Sequence, residues 1–292
     1  MEDVTYAKYM DHYISLKLIA GDILLSELSP SIYQAIINKY AKTHERETVK
    51  GFHYHLRAVL RDAMDEGLIT RDVTRKAVLK GKLPTRRKKA KYLSRDELGR
   101  LIAVLDLLGD INLDYFIYLT AKTGIRFAEA LGVTPESFDF ANSRLNITQT
   151  LKYKGGAGRK DFARTKTESS NRIIQLDKET NDIFYRAVHG LPKRHSIFEA
   201  VFTADGHAIN YYFNKRLEDR CDTAGVPVVS IHGLRHTHAS LLLYADVSVQ
   251  SISKRLGHSA TRTTINTYLH LIDEMDDEDK NKIMNILSEL DS

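Results

Sequence analysis

The sequence contains very little cysteine and no long apolar segment. Cys221 is the only cysteine among 292 residues, which excludes an internal disulfide and a zinc cluster built on several cysteines. No apolar run reaches the roughly eighteen residues that a transmembrane helix needs. The first residues, MEDVTYAKYMDHY, are acidic and polar, whereas a signal peptide begins basic and continues apolar. These absences favour a protein of the reducing cytoplasm that has no membrane partner.

Positive charge dominates most of the chain. The formal net charge is +5 at pH 7, although residues 273–292 hold eight acidic residues and only two lysines. The rest of the chain is therefore more basic than its net charge indicates. Such a basic body favours a polyanionic partner, most often nucleic acid. Charge alone leaves open a soluble protein with a modest positive excess.

The spacing of apolar residues divides the chain into four parts. Residues 1–80 show helical spacing without strand-like alternation, which predicts a small helical bundle. Residues 81–91 are rich in lysine and arginine and contain Pro84, which indicates an interdomain linker. Residues 92–272 combine helical periods with short alternating segments, which predicts a mainly α-helical domain with a small antiparallel β-sheet. Residues 273–292 form an acidic tail.

Local signals support this division. In SPSIYQAIINKYAKT, Ser29 and Pro30 indicate a helix start. The apolar residues at helical spacing in this segment are Ile32, Ala35, Ile36 and Tyr40. In YLSRDELGRLIAVL, Ser94 and Glu97 predict a capping box. Residues 137–153 and 168–176 alternate like strands, and we expect the polar, glycine-containing segment KGGAGRKDFARTKT to join them.

Four separated segments contain residues suited to phosphate chemistry. They are TGIRFAEALGV with Arg126, TKTESSNRIIQL with Lys166, HGLRHTHASLLL with His232 and Arg235, and LGHSATRTTINTYLHL with His258 and Tyr268. The combination resembles the tyrosine recombinases, also called the phage integrase family. The resemblance extends from the helical bundle to Tyr268. Its specificity lies in the order and spacing of the segments, because each one alone is a weak signal.

The resemblance implies a nucleophile and a set of phosphate-binding groups. Tyr268 is expected to attack a DNA phosphodiester, forming a 3′-phosphotyrosyl link and releasing a 5′-hydroxyl. Arg126 and Arg235 are expected to flank the phosphate, and His258 to donate a further hydrogen bond to it. These residue types suit the chemistry, since preorganised cations lower the barrier at a phosphorus that gains negative charge. Because the phosphotyrosine conserves bond energy and the side chains supply positive charge, we expect no cofactor, ATP or metal.

The resemblance also implies roles in proton transfer and support. His232 is expected to help manage the tyrosine proton, and Lys166 to protonate the leaving 5′-oxygen. Glu129 and His236 are expected to support the site without touching the phosphate. Lys166 has local rivals in Lys152, Lys154 and Lys160, and it is preferred because TKTESSNR matches the hairpin pattern of the family.

Other interpretations remain open for individual residues. Tyr268 is one of fifteen tyrosines and alone would usually be a packing residue. Arg126 is three residues before Glu129, the spacing of a helix-surface ion pair. His232 and His236 are four residues apart, as zinc-binding histidines on a helix are. No H-E-x-x-H motif is present, so a metal site is disfavoured.

The family resemblance further implies how the chain meets DNA. A helical core-binding domain and the catalytic domain are expected to form a C-shaped clamp on double-stranded core sites, with four protomers holding two duplexes. An excisionase or a host DNA-bending protein is a candidate accessory partner. Counterion release favours phosphate contacts from the basic linker. The linker residues expected to contact the DNA backbone are Lys82, Arg86, Arg87, Lys88, Lys89 and Lys91.

The wording of the motifs is closest to integrases of Gram-positive phages and integrative conjugative elements, which predicts integration and excision of a mobile element. An arm-binding domain ahead of the bundle is not recognised in this sequence, which leaves open a piece of a longer protein or a naturally short one. A chromosome-dimer-resolving recombinase of the Xer type is the main alternative, and a type IB topoisomerase or a DNA-binding regulator with a decayed active site are others. In the tail, Ile283, Ile286, Leu287 and Leu290 favour an amphipathic helix that docks on a neighbouring protomer, against the alternative of a frayed end.

Overall fold

The computed structural model describes residues 3–83, 89–153, 161–164, 170–189, 191, 195–199 and 209–268. The chain divides into two compact units, Met1–Lys88 and Lys89–Ser292. This boundary falls within the basic segment 81–91, while the four-part domain assignment itself stays a prediction. The acidic tail, 273–292, lies outside the described residues.

Three α-helices form the first unit: α1 (Asp3–Ala20), α2 (Pro30–Ala41) and α3 (Arg46–Asp65). The predicted start of α2 is confirmed, because Ser29 Oγ accepts a hydrogen bond from the backbone N–H of Ile32 and Pro30 occupies the first helical position. The core of this unit contains Tyr33, Ile36, Ile37, Tyr40, Val49, Phe52 and Val73.

Ala35 was wrongly predicted to lie on the apolar face of α2. Ala35 is exposed, whereas Tyr33 and Ile37 are buried. The Tyr33 hydroxyl lies 2.8 Å from Nδ1 of the buried His53 on α3. Tyr33 thus buries a large ring while its polar atom keeps a partner, which a small side chain such as Ala35 cannot match in buried area.

The second unit is mainly helical. Its helices are α4 (Arg95–Ala103), α5 (Leu113–Thr123), α6 (Phe127–Leu131), α7 (Lys178–Val188), α8 (Ile209–Ala224), α9 (Ile231–Tyr244) and α10 (Val249–Leu256). Residues 261–268 are also helical. The capping box at α4 is confirmed, since Ser94 Oγ accepts from the Glu97 N–H and the Glu97 carboxylate accepts from the Ser94 N–H. Within the described residues, no helix is both long and apolar enough to cross a membrane.

Among the described residues, five short antiparallel strands accompany these helices. They are β1 (Phe138–Asp139), β2 (Arg144–Ile147), β3 (Gln149–Lys152), β4 (Asp161–Arg164) and β5 (Arg172–Gln175). One sheet has the order β1-β2-β5, and β3 pairs with β4 in a separate hairpin. The predicted fold class, mainly α with small antiparallel β structure, is confirmed. The segment KGGAGRKDFARTKT is more than a connection, because its residues DFAR form β4 and place Phe162 opposite Leu151.

A glycine between α5 and α6 allows α5, α9 and α10 to pack closely. Gly124 ends α5 in the left-handed conformation, with φ of +67°. A Cβ atom there would lie 2.7 Å from the His238 ring of α9 and 2.9 Å from the Leu256 side chain of α10. Only glycine therefore allows this turn and this close approach together. The tight packing sets α9 and α10 directly against the end of α5.

Candidate active site

The predicted site residues lie at the ends and first turns of helices. Arg126 directly precedes α6, and His232 and Arg235 are in the first turns of α9. The Ser230 hydroxyl fixes the start of α9 by accepting a hydrogen bond from the Gly233 N–H at 3.0 Å. His258 follows the left-handed C-cap of α10, and Tyr268 is in the helical segment 261–268.

The C-terminus of α10 draws three arginines together. Three consecutive backbone carbonyls there each accept a hydrogen bond from a different arginine side chain. The pairs are Arg172 Nε with Arg255 O, Arg235 Nη2 with Leu256 O, and Arg126 Nη2 with Gly257 O, each at 2.7 Å. The C-terminal end of a helix carries a partial negative charge, which favours cations there. This arrangement orients two of the predicted phosphate ligands before any phosphate binds.

Glu129 connects two of these arginines. Its carboxylate is buried, with Arg126 Nη1 2.8 Å from Oε1 and Arg172 Nη2 2.8 Å from Oε2. Burial alone would raise the pKa of Glu129, but the hydrogen bond and charge of Arg172, together with the charge of Arg126, lower that pKa to about 2. Glu129 is therefore ionised at neutral pH. Its contact with Arg126 gives a physical basis for the predicted supporting role.

Arg235 is buried and donates to three acceptors. Besides Leu256 O, these are Gly124 O at 2.6 Å and His258 Nε2 at 2.9 Å. Burial and the nearby charge of Arg126 lower the Arg235 pKa to about 9, so the guanidinium remains charged at pH 7. Burying a cation among carbonyl dipoles is costly unless an anion completes the site, and a phosphate has the required charge.

His258 connects Arg235 to the helical segment that contains Tyr268. Its Nε2 faces the Arg235 guanidinium, which can only donate, so Nε2 accepts and the ring proton is on Nδ1. Nδ1 lies 2.7 Å from Thr264 Oγ1, one turn before Tyr268. Burial, then the charges of Arg235 and Arg126, lower the pKa of His258 to about 4. The predicted donation from His258 to a phosphate oxygen stays a prediction.

The Tyr268 side chain is buried. Its ring packs in a cluster with Ala239, Leu243, Ile252 and Leu256 of α9 and α10. Its hydroxyl lies 3.0 Å from Nδ1 of His236, and the two ring centroids are 5.6 Å apart. Burial raises the pKa of Tyr268 to about 12, although the charge of Arg235 acts in the opposite direction.

An open pocket of about 460 Å³ borders the tyrosine. Lys89, Lys91, His232, His236 and Tyr268 are among the residues that line it. The His232 side chain opens onto this pocket, and the partial desolvation of its ring, followed by the charges of Arg235 and Arg126, lowers its pKa. The His232 and His236 ring centroids are 4.6 Å apart in an edge-to-face contact. Two of the predicted linker lysines therefore stand beside the predicted nucleophile.

Several predicted residues lie elsewhere. Lys82 is exposed in the first unit, where its backbone N–H donates to His44 O. The remaining ones, which fall outside the described residues, are Lys166, Arg86, Arg87 and Lys88. Their assignment to catalysis or DNA contact stays a prediction. In the described ranges, no group of three or more His, Cys, Asp or Glu side chains is placed to hold a metal ion.

Arg172 and Arg255 were not predicted as site residues from the sequence. Arg172 is in the quoted segment TKTESSNRIIQL, but its strand-like alternation gave no sign that its side chain turns inward to Glu129. Arg255 Nε donates to Nε2 of the buried His238, whose Nδ1 lies 3.0 Å from Ala121 O. Both arginines thus brace residues adjoining the predicted phosphate ligands. Only long-range contacts reveal this, because Arg172 is 43 residues from Glu129 in sequence.

Comparison with known proteins identifies the family. Residues 91–275 match the phage integrase family. The integrase of Staphylococcus phage L54a is 27% identical over 288 residues, covering 90% of this chain and 81% of that protein. The ICEBs1 integrase of Bacillus subtilis (strain 168) is 24% identical over 216 residues, covering 70% of this chain and 57% of that protein. The fold is similar to that of the Tn1549 transposon integrase in complex with transposon right end DNA, with a TM-score of 0.73 and 17% identity. The match covers 92% of this chain and 90% of that chain. The chain belongs to the phage integrase family and is a tyrosine site-specific recombinase.

Proposed function

We propose that this protein integrates and excises a mobile DNA element, with Tyr268 as the nucleophile that cleaves and rejoins DNA. The supporting observation is the connected geometry of the site. Arg126 and Arg235 meet at one end of α10, and His258 joins Arg235 to Thr264, one turn before Tyr268. A tyrosine on the helical segment that His258 connects to Arg235 suits attack on a phosphodiester bound by the oriented guanidiniums.

The reaction follows from the residues present. Tyr268 Oη attacks phosphorus while Arg126 and Arg235 stabilise the charge that develops on the non-bridging oxygens. The P–O5′ bond breaks, and the leaving oxygen takes a proton from a general acid, the role proposed for Lys166. The resulting 3′-phosphotyrosyl ester conserves the bond energy of the strand. A 5′-hydroxyl from another strand then attacks that ester and releases Tyr268.

Partners follow from the same chemistry. The substrates are double-stranded core sites, and exchange between two duplexes requires four protomers, so a homotetramer on DNA is proposed. Lys89 and Lys91 would contact backbone phosphates near the cleaved bond. An excisionase or a host DNA-bending protein remains a candidate accessory partner, and the bacterial cytoplasm is the proposed compartment. If the acidic tail docks on a neighbouring protomer, deleting residues 277–292 weakens synapsis and spares binding to a single site.

A nicked suicide substrate tests the proposal. Junctions of the mobile element in its host supply the cognate site, and a nick beside the cleavage point lets the short 5′-hydroxyl fragment diffuse away and traps the adduct. We expect wild-type protein to form a covalent adduct and Tyr268→Phe to form none while binding the same DNA. Joining of strands between two sites then separates a recombinase from a topoisomerase. Absence of any adduct on the cognate site would falsify the catalytic assignment.

A further inference from the structure

The Tyr268 hydroxyl must lose its proton during attack, and its surroundings oppose ionisation. The side chain is only 4% exposed. Burial raises its pKa to about 12, so the phenol is protonated at neutral pH. A phenol in this state is a poor nucleophile unless a base within hydrogen-bond reach accepts its proton.

His236 is in position to accept that proton. Its Nδ1 lies 3.0 Å from Tyr268 Oη, within the reach expected for a general base. Within the described part of the chain, this is the hydrogen bond that the Tyr268 hydroxyl makes. His236 is on α9 directly after Arg235, so the helix that orients a phosphate-binding cation also orients the base.

Given the recombinase chemistry proposed above, we infer that His236 is the catalytic base that takes the proton of Tyr268 Oη. With the imidazole neutral and its proton on Nε2, Nδ1 is the acceptor of the hydrogen bond from Tyr268 Oη. As the Oη–P bond forms, the hydroxyl proton moves to Nδ1 and the P–O5′ bond breaks toward the general acid. In rejoining, the protonated His236 returns the proton to the departing Tyr268 oxygen, so the cycle balances without a co-reactant.

This assignment moves a role from His232 to His236. The family resemblance implied that His232, one helical turn earlier on α9, manages the tyrosine proton. His232 contacts the ring of His236 and is exposed to the pocket, whereas the contact with the hydroxyl belongs to His236. His232 is thus placed to exchange protons with solvent at the pocket mouth.

Titratable and charged groups share the pocket with His236. The titratable groups that line it are Lys89, Lys91, Tyr92, His232 and Tyr268. Arg235 adjoins His236 in the chain.

The test separates a base from a positioning group. In His236→Asn, the side-chain amide approximates the place of Nδ1 and can hydrogen-bond to Tyr268, but it cannot accept a proton at neutral pH. Single-turnover cleavage of the suicide substrate is measured between pH 6 and pH 10. We expect His236→Asn to be at least about 100-fold slower at pH 7, a typical loss for a missing base. Its rate should then rise about tenfold per pH unit as hydroxide replaces the base, while the wild-type rate reaches a plateau.

Two controls sharpen the result. His232→Asn, one turn away on the same helix, should retain a plateau in its pH profile. A substrate with sulfur in place of the 5′-bridging oxygen has a leaving group that needs no proton, so it should not restore His236→Asn. DNA binding by each variant, measured by gel shift, shows that the fold is intact.

Three outcomes overturn the inference. They are a wild-type rate and pH profile in His236→Asn, restoration of its activity by the sulfur substrate, and a tenfold rise per pH unit in His232→Asn instead. In each case the wild-type adduct still forms and the proposed function stands. If wild-type protein forms no Tyr268-dependent adduct, both the proposed function and the role of His236 are wrong.

Discussion

Arg172 Nη2 lies 2.8 Å from Glu129 Oε2, and both side chains are almost completely buried, at 6% and 2% exposure. Arg126 binds the other oxygen of the same carboxylate from a more exposed position. One buried anion therefore sets the positions of two cations. Because Arg172 also holds the Arg255 carbonyl, it connects Glu129 to the end of α10.

Replacing Arg172 should destabilise the protein strongly. In Arg172→Gln, Glu129 stays buried with one of its two cations removed, and breaking a buried pair in this way costs about 3–5 kcal/mol. Urea unfolding followed by circular dichroism measures the change in unfolding free energy. Lys215→Gln is the matched control, since Lys215 makes an exposed pair with Asp219 on α8. A similar midpoint for the two variants would contradict the buried ion pair.

Replacing Gly124 tests the close approach of three helices. Gly124→Ala and Gly109→Ala both place a side chain at positive φ, +67° and +74°, which costs about 1–2 kcal/mol. Only at Gly124 would the new Cβ meet other atoms, those of His238 and Leu256. Overpacking adds about 1–3 kcal/mol, so Gly124→Ala should lose more unfolding free energy than Gly109→Ala. Equal losses would show that the neighbours give way freely.

Lysine substitution should lower stability by different amounts at the two predicted phosphate ligands, Arg235 and Arg126. Arg235 is buried and donates to Gly124 O, Leu256 O and His258, and a lysine ammonium cannot reproduce that fork. Arg235→Lys should therefore lose cleavage and about 1–3 kcal/mol of unfolding free energy for each acceptor left unpaired. Arg126→Lys keeps a cation beside Glu129, so it should lose cleavage with a smaller change in stability. Suicide-substrate cleavage and urea unfolding measure both effects, and equal stability losses would contradict the difference in burial.

Stability should fall as the pH is lowered below 6.5, and His238 should contribute to that fall. Burial first, and then the charge of Arg255, lower the His238 pKa from 6.5 to about 3. Between these values the unfolded chain binds a proton that the folded chain does not. The stability that His238 contributes is therefore complete above pH 6.5 and lost toward pH 3, at about 1.4 kcal/mol per pH unit.

The range from pH 6.5 to pH 4.5 excludes the titration of Glu129, because the pKa of Glu129 is about 2 in the folded state and has an ordinary value of 4.5. Urea unfolding at several pH values gives the slope of the unfolding free energy against pH. This slope should be smaller in His238→Gln than in the wild type, by the amount that about one bound proton contributes. The other histidines whose pKa values are lowered keep the remaining slope in both proteins; they are His12, His53, His55, His232 and His258. An unchanged slope in His238→Gln would mean that His238 is not held neutral.

Much of the local structure follows from nearby residues. The capping box of Ser94 and Glu97, the start of α2 at Ser29 and Pro30, and the break at Gly124 depend on atoms a few positions apart. The apolar face of α2 depends on a more distant residue. Helical spacing alone does not distinguish Ala35 from Tyr33, because the hydrogen-bond partner of Tyr33, His53, is on α3. The strand β4 was not predicted, for a related reason. Its four residues alternate too briefly to stand out, and their pairing with β3 defines them.

The family and the predicted nucleophile could be recognised without a structure, because the order and spacing of short motifs are properties of the chain. The contacts among the site residues, in contrast, depend on packing. The three arginines converge on α10 from separate elements, and His236 rather than His232 reaches Tyr268 because the segment 261–268 packs against that side of α9. Hydrogen bonds act over about 3 Å between atoms. Residues far apart in sequence acquire such contacts only when packing brings their helices together.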